Sequence, residues 1–108
     1  MHRLLAVAML LLPIATVSAG AAFAPAQVRV SINEMKFHPA SLEIKVGDTV
    51  RWTNDDERDH TVAAADGSFK SGNLRGGDTF EHTFKKPGKF NYACSYHPRM
   101  KGTVNVKE

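Results

Sequence analysis

The 108 residues hold a single cysteine, Cys94. That excludes an intramolecular disulfide, a disulfide-stapled scaffold and a zinc ribbon alike. Helical periodicity is also missing, since outside the N-terminal segment no run of ten or more residues repeats at the helical spacing. Charge of one sign is scarce: the formal net charge is +3. That is too little for a nucleic-acid-binding face, and no stripe interleaves basic with aromatic residues. There is one tryptophan, Trp52, and its expected role is to plug the core.

The one long apolar run lies at the start. His2 and Arg3 form a short polar n-region, Leu4 to Leu12 is unbroken apolar sequence, and the small residues Thr16 to Ala22 follow. This is the pattern of a secretory signal. Cleavage after Ala19 fits the small-x-small rule through Val17, with Ala21 and Ala26 as alternatives. The expected division is a signal over 1–24, its end lying between 19 and 26, and one domain over 25–108. An uncleaved anchor is the competing reading, because Leu4 to Phe23 is 20 mostly apolar residues, about the length that crosses a bilayer. Pro13, Gly20 and the compact apolar stretch favour export to the periplasm. Losing Arg3 takes the basic residues from 14 to 13 against 11 acidic ones, a net charge of +2. A domain this small has a limited core, and a bound metal is one way to reinforce it.

Past that segment, every stretch reads as strand or turn. Val28, Val30 and Ile32 alternate with polar residues, as do Leu42, Ile44 and Val46, then Val50 and Trp52, then Phe80, His82 and Phe84. Phe37-His38-Pro39-Ala40 is expected to bend, Asp66 to Gly77 to loop, and Lys86 to Lys89 to turn. Thr103 to Val106 closes the chain as a strand. Seven or eight short strands with turns between them predict an all-β, antiparallel Greek-key β-sandwich.

The chemistry concentrates in Cys94-Ser95-Tyr96-His97-Pro98-Arg99-Met100. Phe90, Tyr92 and Cys94 share one parity, so the thiol is expected to emerge from the core side at a strand end. A tight loop then returns His97 and Met100 around it, and His60, 34 residues upstream of Cys94, is the candidate for the remaining donor. A thiolate, two imidazoles and a thioether suit copper better than any hard cation, in the trigonal set with a weak axial methionine used for electron transfer. Zinc fits less well, since its structural sites favour several cysteines or histidines. Taken singly, each residue has a plainer role: a buried structural thiol, an exposed His-Pro turn, a core methionine. His82 reads as a half-buried, hydrogen-bonded core histidine and His38 as a surface one, with no second metal site. Asp55, Asp56, Glu57 and Asp59 form an acidic flank before His60, either a solvated loop or a means of steering a partner.

With these residues in view, the chain resembles the cupredoxins, the type 1 blue copper proteins, and most closely their amicyanin and plastocyanin-like branch. The resemblance rests on Phe37-His38-Pro39, Val46 to Asn54, Asp59-His60-Thr61-Val62, Phe69 to Gly72 and Pro87 to Gly102, covering essentially the whole domain. Two residues between His97 and Met100 look like amicyanin. The resemblance implies one copper ion held by His60, Cys94, His97 and axial Met100. It also implies single-electron transfer between protein partners docking near His97, by a monomer with no membrane span once processed. Two positions depart from the pattern. Thr61 stands where many relatives carry an asparagine that ties the first ligand strand to the cysteine loop, so a looser tie is expected. Ala93 stands where plastocyanin has a tyrosine beside the cysteine, so that lateral electron route is not carried over. The alternatives are a periplasmic copper chaperone or scavenger using the same donors, and an enzyme with Cys94 as nucleophile and His97 as base, for which no third orienting group is evident.

Overall fold

The computed structural model describes residues 24–108; the expected signal over 1–24 lies outside them save for Ala24. Eight strands form two four-stranded sheets, and there is no helix among the described residues. The strands are β1 (Gln27–Asn33), β2 (Lys36–His38), β3 (Ser41–Lys45), β4 (Thr49–Asn54), β5 (Ala63–Ala64), β6 (Thr79–Thr83), β7 (Gly88–Ala93) and β8 (Lys101–Lys107). One sheet has the order β2-β1-β4-β6 and the other β3-β8-β7-β5.

The alternation in sequence becomes the inner face of the sandwich, because successive strand side chains point to opposite sides. Val30 and Ile32 from β1, Val50 and Trp52 from β4, Leu42 and Ile44 from β3, and Val104 and Val106 from β8 are all buried. Trp52 is 0 % exposed and meets Phe69, Phe80 and Tyr92 at ring centroid distances of 5.7, 5.6 and 5.4 Å. The 66–77 segment is irregular as expected, yet it delivers buried Phe69 and Leu74 to the core.

Four local expectations change. The sandwich is mixed rather than antiparallel: β1 runs parallel to β4 and β3 parallel to β8. Each of those pairs is joined through the opposite sheet, so both members start from the same end. Phe37 and His38 belong to a short strand paired with β1, and the bend begins only at Pro39. Val46 is 40 % exposed despite its parity with Ile44, because the chain turns there and Asp48 accepts the Lys45 N–H at 2.9 Å. His82 is half-buried as expected, but among the described residues aromatic rings rather than a hydrogen bond hold it. Its ring stacks on Phe69 at 4.9 Å and meets Phe84 edge-on at 4.7 Å.

Two predictions arise from this packing. Burial holds the His82 imidazole below its usual pKa, so as pH falls below about 6.5 the unfolded chain protonates first. Stability is therefore full at neutral pH and declines on acidification until the folded group titrates as well. Urea midpoints between pH 8 and 5 are expected to fall less steeply for His82→Phe than for the unsubstituted chain. Gly102 carries the second. A Cβ there would overlap Cζ and the hydroxyl of Tyr92. That ring is wedged between Phe37 and Trp52, with centroids at 4.7 and 5.4 Å. Gly102→Ala is expected to cost about 2–3 kcal/mol in urea unfolding, at the upper end for overpacking by one methyl group.

Candidate metal centre

Strand β7 ends at Ala93, and Cys94 follows with 1 % of its surface exposed. The loop from Cys94 to Met100 is closed by its own backbone. The Cys94 N–H donates to the Met100 carbonyl at 3.1 Å, and the Met100 N–H donates to the His97 carbonyl at 2.8 Å. Below this closure Ala93 pairs with Lys101. The loop is therefore clamped between two paired strands.

His60 arrives from the other side of the sandwich. It exchanges backbone hydrogen bonds with Leu74 at 3.0 and 2.8 Å. The buried Asn54 amide braces the same turn, donating to the carbonyls of Arg58 at 2.8 Å and Leu74 at 2.9 Å. The His60 ring is fully buried, and its Nε2 lies 2.9 Å from Asp56 Oδ2. Donation from Nε2–H to that carboxylate leaves the Nδ1 lone pair free to bind a metal. The imidazole holds the Asp56 carboxyl below its usual pKa, with the Met35 and Glu57 N–H groups helping.

The donors converge. Cys94 Sγ is 3.8 Å from His60 Nδ1 and 3.7 Å from His97 Nδ1, and all three lie within 4.8 Å of one another. Metal bonds of about 2.0 Å to nitrogen and about 2.3 Å to sulfur, set trigonally, put neighbouring donors roughly 3.7 Å apart. The residues present therefore fit a single copper-sized ion, and no other such cluster occurs among the described residues. Burial pushes the Cys94 thiol up, but the Thr61 N–H at 3.4 Å and the two imidazoles outweigh it and bring the thiol down to about 6. Thr61 also accepts the Ser95 N–H on Oγ1 at 2.7 Å. A hydroxyl thus ties the first histidine's segment to the cysteine loop where many relatives carry an asparagine. Met100 is buried at the loop's closing residue, and His97 is half-buried behind exposed Tyr96 and Pro98.

In the acidic run before His60, Asp55, Glu57 and Asp59 are exposed, as in a solvated loop, and Asp56 has a further role. Asp55 accepts from Ser31 Oγ at 2.6 Å, Asp59 accepts from Asn73 Nδ2 at 3.1 Å, and Asp56 holds His60. Asp56 is the functional residue that sequence reasoning missed; its only signal was a carboxylate four residues before a candidate ligand. It also supplies the orienting group that a Cys-His enzyme would need, but on His60 and not His97. Cys94 and His60 are 1 % and 0 % exposed, so neither member of that pair opens onto the surface.

Comparison with known proteins agrees with this geometry. Residues 4–106 match the cupredoxin-like domain family. Amicyanin-alpha of Methylorubrum extorquens is 38% identical over 95 residues, spanning 78% of this chain and 76% of that protein. The amicyanin of Paracoccus denitrificans is 34% identical over 103 residues, spanning 86% and 79%. Among solved structures, a purple cupredoxin from Nitrosopumilus maritimus superposes with a TM-score of 0.69 at 36% identity, covering 74% of this chain and 99% of its own. A β-sandwich closed around one buried cysteine sulfur and two imidazoles, with this sequence match over nearly its whole length, makes the chain a member of the cupredoxin-like family.

Proposed function

We propose that this protein is a type 1 blue copper electron carrier of the periplasm, with copper held by Cys94, His60 and His97 and by Met100 as a weak axial ligand. The observation that carries the reading is the approach of both histidine Nδ1 atoms to one buried sulfur at 3.7 and 3.8 Å. Bound copper supplies a single-electron couple between Cu(I) and Cu(II).

The chain's own residues keep that couple fast. Thr61 N–H and its hydroxyl hold the sulfur and the loop, and Asp56 fixes the tautomer and tilt of His60. The closed loop between β7 and β8 leaves the donors little freedom to rearrange when the charge changes. Core packing excludes water from Cys94 and His60 but leaves the His97 side half-exposed. The electron path to a partner therefore runs through the His97 edge, and Ala93 offers no lateral aromatic route. Partners are redox proteins docking at that edge, the working form is a monomer, and the N-terminal segment is the export signal. No helix among the described residues is long and apolar enough to cross a membrane.

Copper handling by a chaperone or scavenger calls for an exchange-ready donor set, and here both Cys94 and His60 are sealed from solvent. Kinetics separate the two. A carrier shows fast electron self-exchange by NMR line broadening and slow loss of Cu(I) to a competing chelator. Rapid Cu(I) release with negligible self-exchange would overturn the carrier reading. Asp56 gives a further expected outcome. Asp56→Ala should weaken copper binding about 10-fold or more, the usual cost of losing a hydrogen-bond partner behind a ligand. Asp56→Asn, which keeps an acceptor oxygen, should recover most of it in a chelator competition.

A further inference from the structure

Two adjoining hollows of about 480 and 320 Å³ flank the exposed side of the candidate centre. Both are lined by Met35, Lys36, Arg99 and Met100; His97 closes one and Lys101 the other. No carboxylate lines either hollow. Lys36, Arg99 and Lys101 have no ion-pair partner among the described residues. Three of the four acidic side chains before His60 are occupied within the protein, as described above. Glu34, next to Met35 in the turn, lines neither hollow. The two hollows beside His97 are thus lined by three cations and no carboxylate, while exposed Asp59 is linked through Asn73 to Tyr96.

The centre of the His97 face is built at a cost. The turn between β1 and β2 puts both Glu34 and Met35 in the left-handed region, with φ of 52° and 60°, a conformation that costs a non-glycine residue on the order of 1 kcal/mol. The Met35 N–H donates to Asp56 Oδ2 at 3.3 Å, so the carboxylate that holds His60 also holds this turn. The result is a half-buried thioether beside His97. Methionine is apolar and adaptable, and it recurs at surfaces that must fit a partner.

From this arrangement we infer that the His97 face docks an acidic redox protein, with Met35 at its apolar centre and Lys36, Arg99 and Lys101 meeting carboxylates on the partner. The inference rests on the carrier reading and names the partner's chemistry. An apolar contact ringed by charge is the usual anatomy of a transient interface, and charge complementarity chiefly raises the encounter rate. A small anion is the poorer occupant. The buried residues lining the hollows, Phe37 and Met100, are apolar. They offer no side-chain donor inside to orient a small ligand.

The test compares two charge reversals of equal size in the full chain: Lys36→Glu with Arg99→Glu and Lys101→Glu, against Lys85→Glu with Lys86→Glu and Lys89→Glu. The second group surrounds the turn leading into β7, about 20 Å from Cys94 by strand rise. Stopped flow follows oxidation of the reduced, copper-loaded protein by hexacyanoferrate(III). NMR follows binding of poly-L-glutamate to the metal-free protein. The first group should lose on the order of tenfold in rate at low salt, consistent with local steering. It should also lose poly-glutamate shifts at residues 35–36 and 97–101, while the second changes either quantity less than about twofold. Equal effects in the two groups would overturn the inference, leaving only net charge. So would free glutamate shifting the same amides as strongly as the polymer, which marks a small-anion site. Failure of the unsubstituted protein to turn blue with copper would instead sink the carrier reading, and the metal-free titration would still decide the docking face.

Discussion

Replacing Cys94 with serine is expected to leave a folded β-sandwich that stays colourless with Cu(II). Serine is nearly isosteric, and the Thr61 N–H that approaches the sulfur at 3.4 Å can donate to a hydroxyl oxygen instead. Far-ultraviolet circular dichroism should therefore be unchanged and stability altered by about 1–2 kcal/mol. The thiolate-to-copper charge-transfer band should disappear completely, because the donor that produces it is gone. Copper affinity should fall by more than the roughly 10–100-fold that follows loss of a partner behind a ligand. Retention of an intense visible band by Cys94→Ser would mean that the sulfur is not a ligand.

The second large effect is on stability. Trp52→Ala is expected to destabilise the domain by about 3–5 kcal/mol, the range for removing a large aromatic side chain from a packed core. The indole is 0 % exposed, with three aromatic rings around it. A domain of this size has only about 5–10 kcal/mol of total stability. The midpoint of thermal unfolding should drop by roughly 15–30 °C, at about 4–8 °C per kcal/mol for a small domain. One of those rings belongs to Tyr92, two residues before Cys94 on the same buried face of the strand. The centre should therefore suffer with the core, and copper should be released more quickly. Trp52→Phe fills most of the space and should cost less than half as much. A shift below about 5 °C for Trp52→Ala would mean that the core repacks around the gap.

How much of this was legible in the sequence depends on the range of each interaction. Alternation in β1, β3, β4 and β8 reported burial directly, because the pleat converts parity into a face. The loop from Cys94 to Met100 was legible for the same local reason: three donors within seven residues cannot be far apart. His60 was found because one more donor was needed, and the resemblance to a known ligand pattern selected it. Parallel pairing of β1 with β4 was not legible, since nothing within either strand says which sheet the chain crosses in between. Val46 has the right parity but lies one residue past the point where Asp48 turns the chain. The role of Asp56 within the acidic run was not legible, because sequence shows charges and not their partners. Only in the fold does Asp56 meet both the ring of His60 and the backbone of Met35.

The central claim is that one copper ion binds between Cys94 and two histidines in a rigid, water-excluding β-sandwich. The most direct measurement is the visible absorption spectrum of the purified domain after one equivalent of Cu(II) and again after ascorbate. The account predicts an intense blue thiolate-to-Cu(II) band that bleaches on one-electron reduction and returns on reoxidation. A faint band typical of tetragonal nitrogen and oxygen coordination, unchanged when Cys94 is replaced, would contradict it.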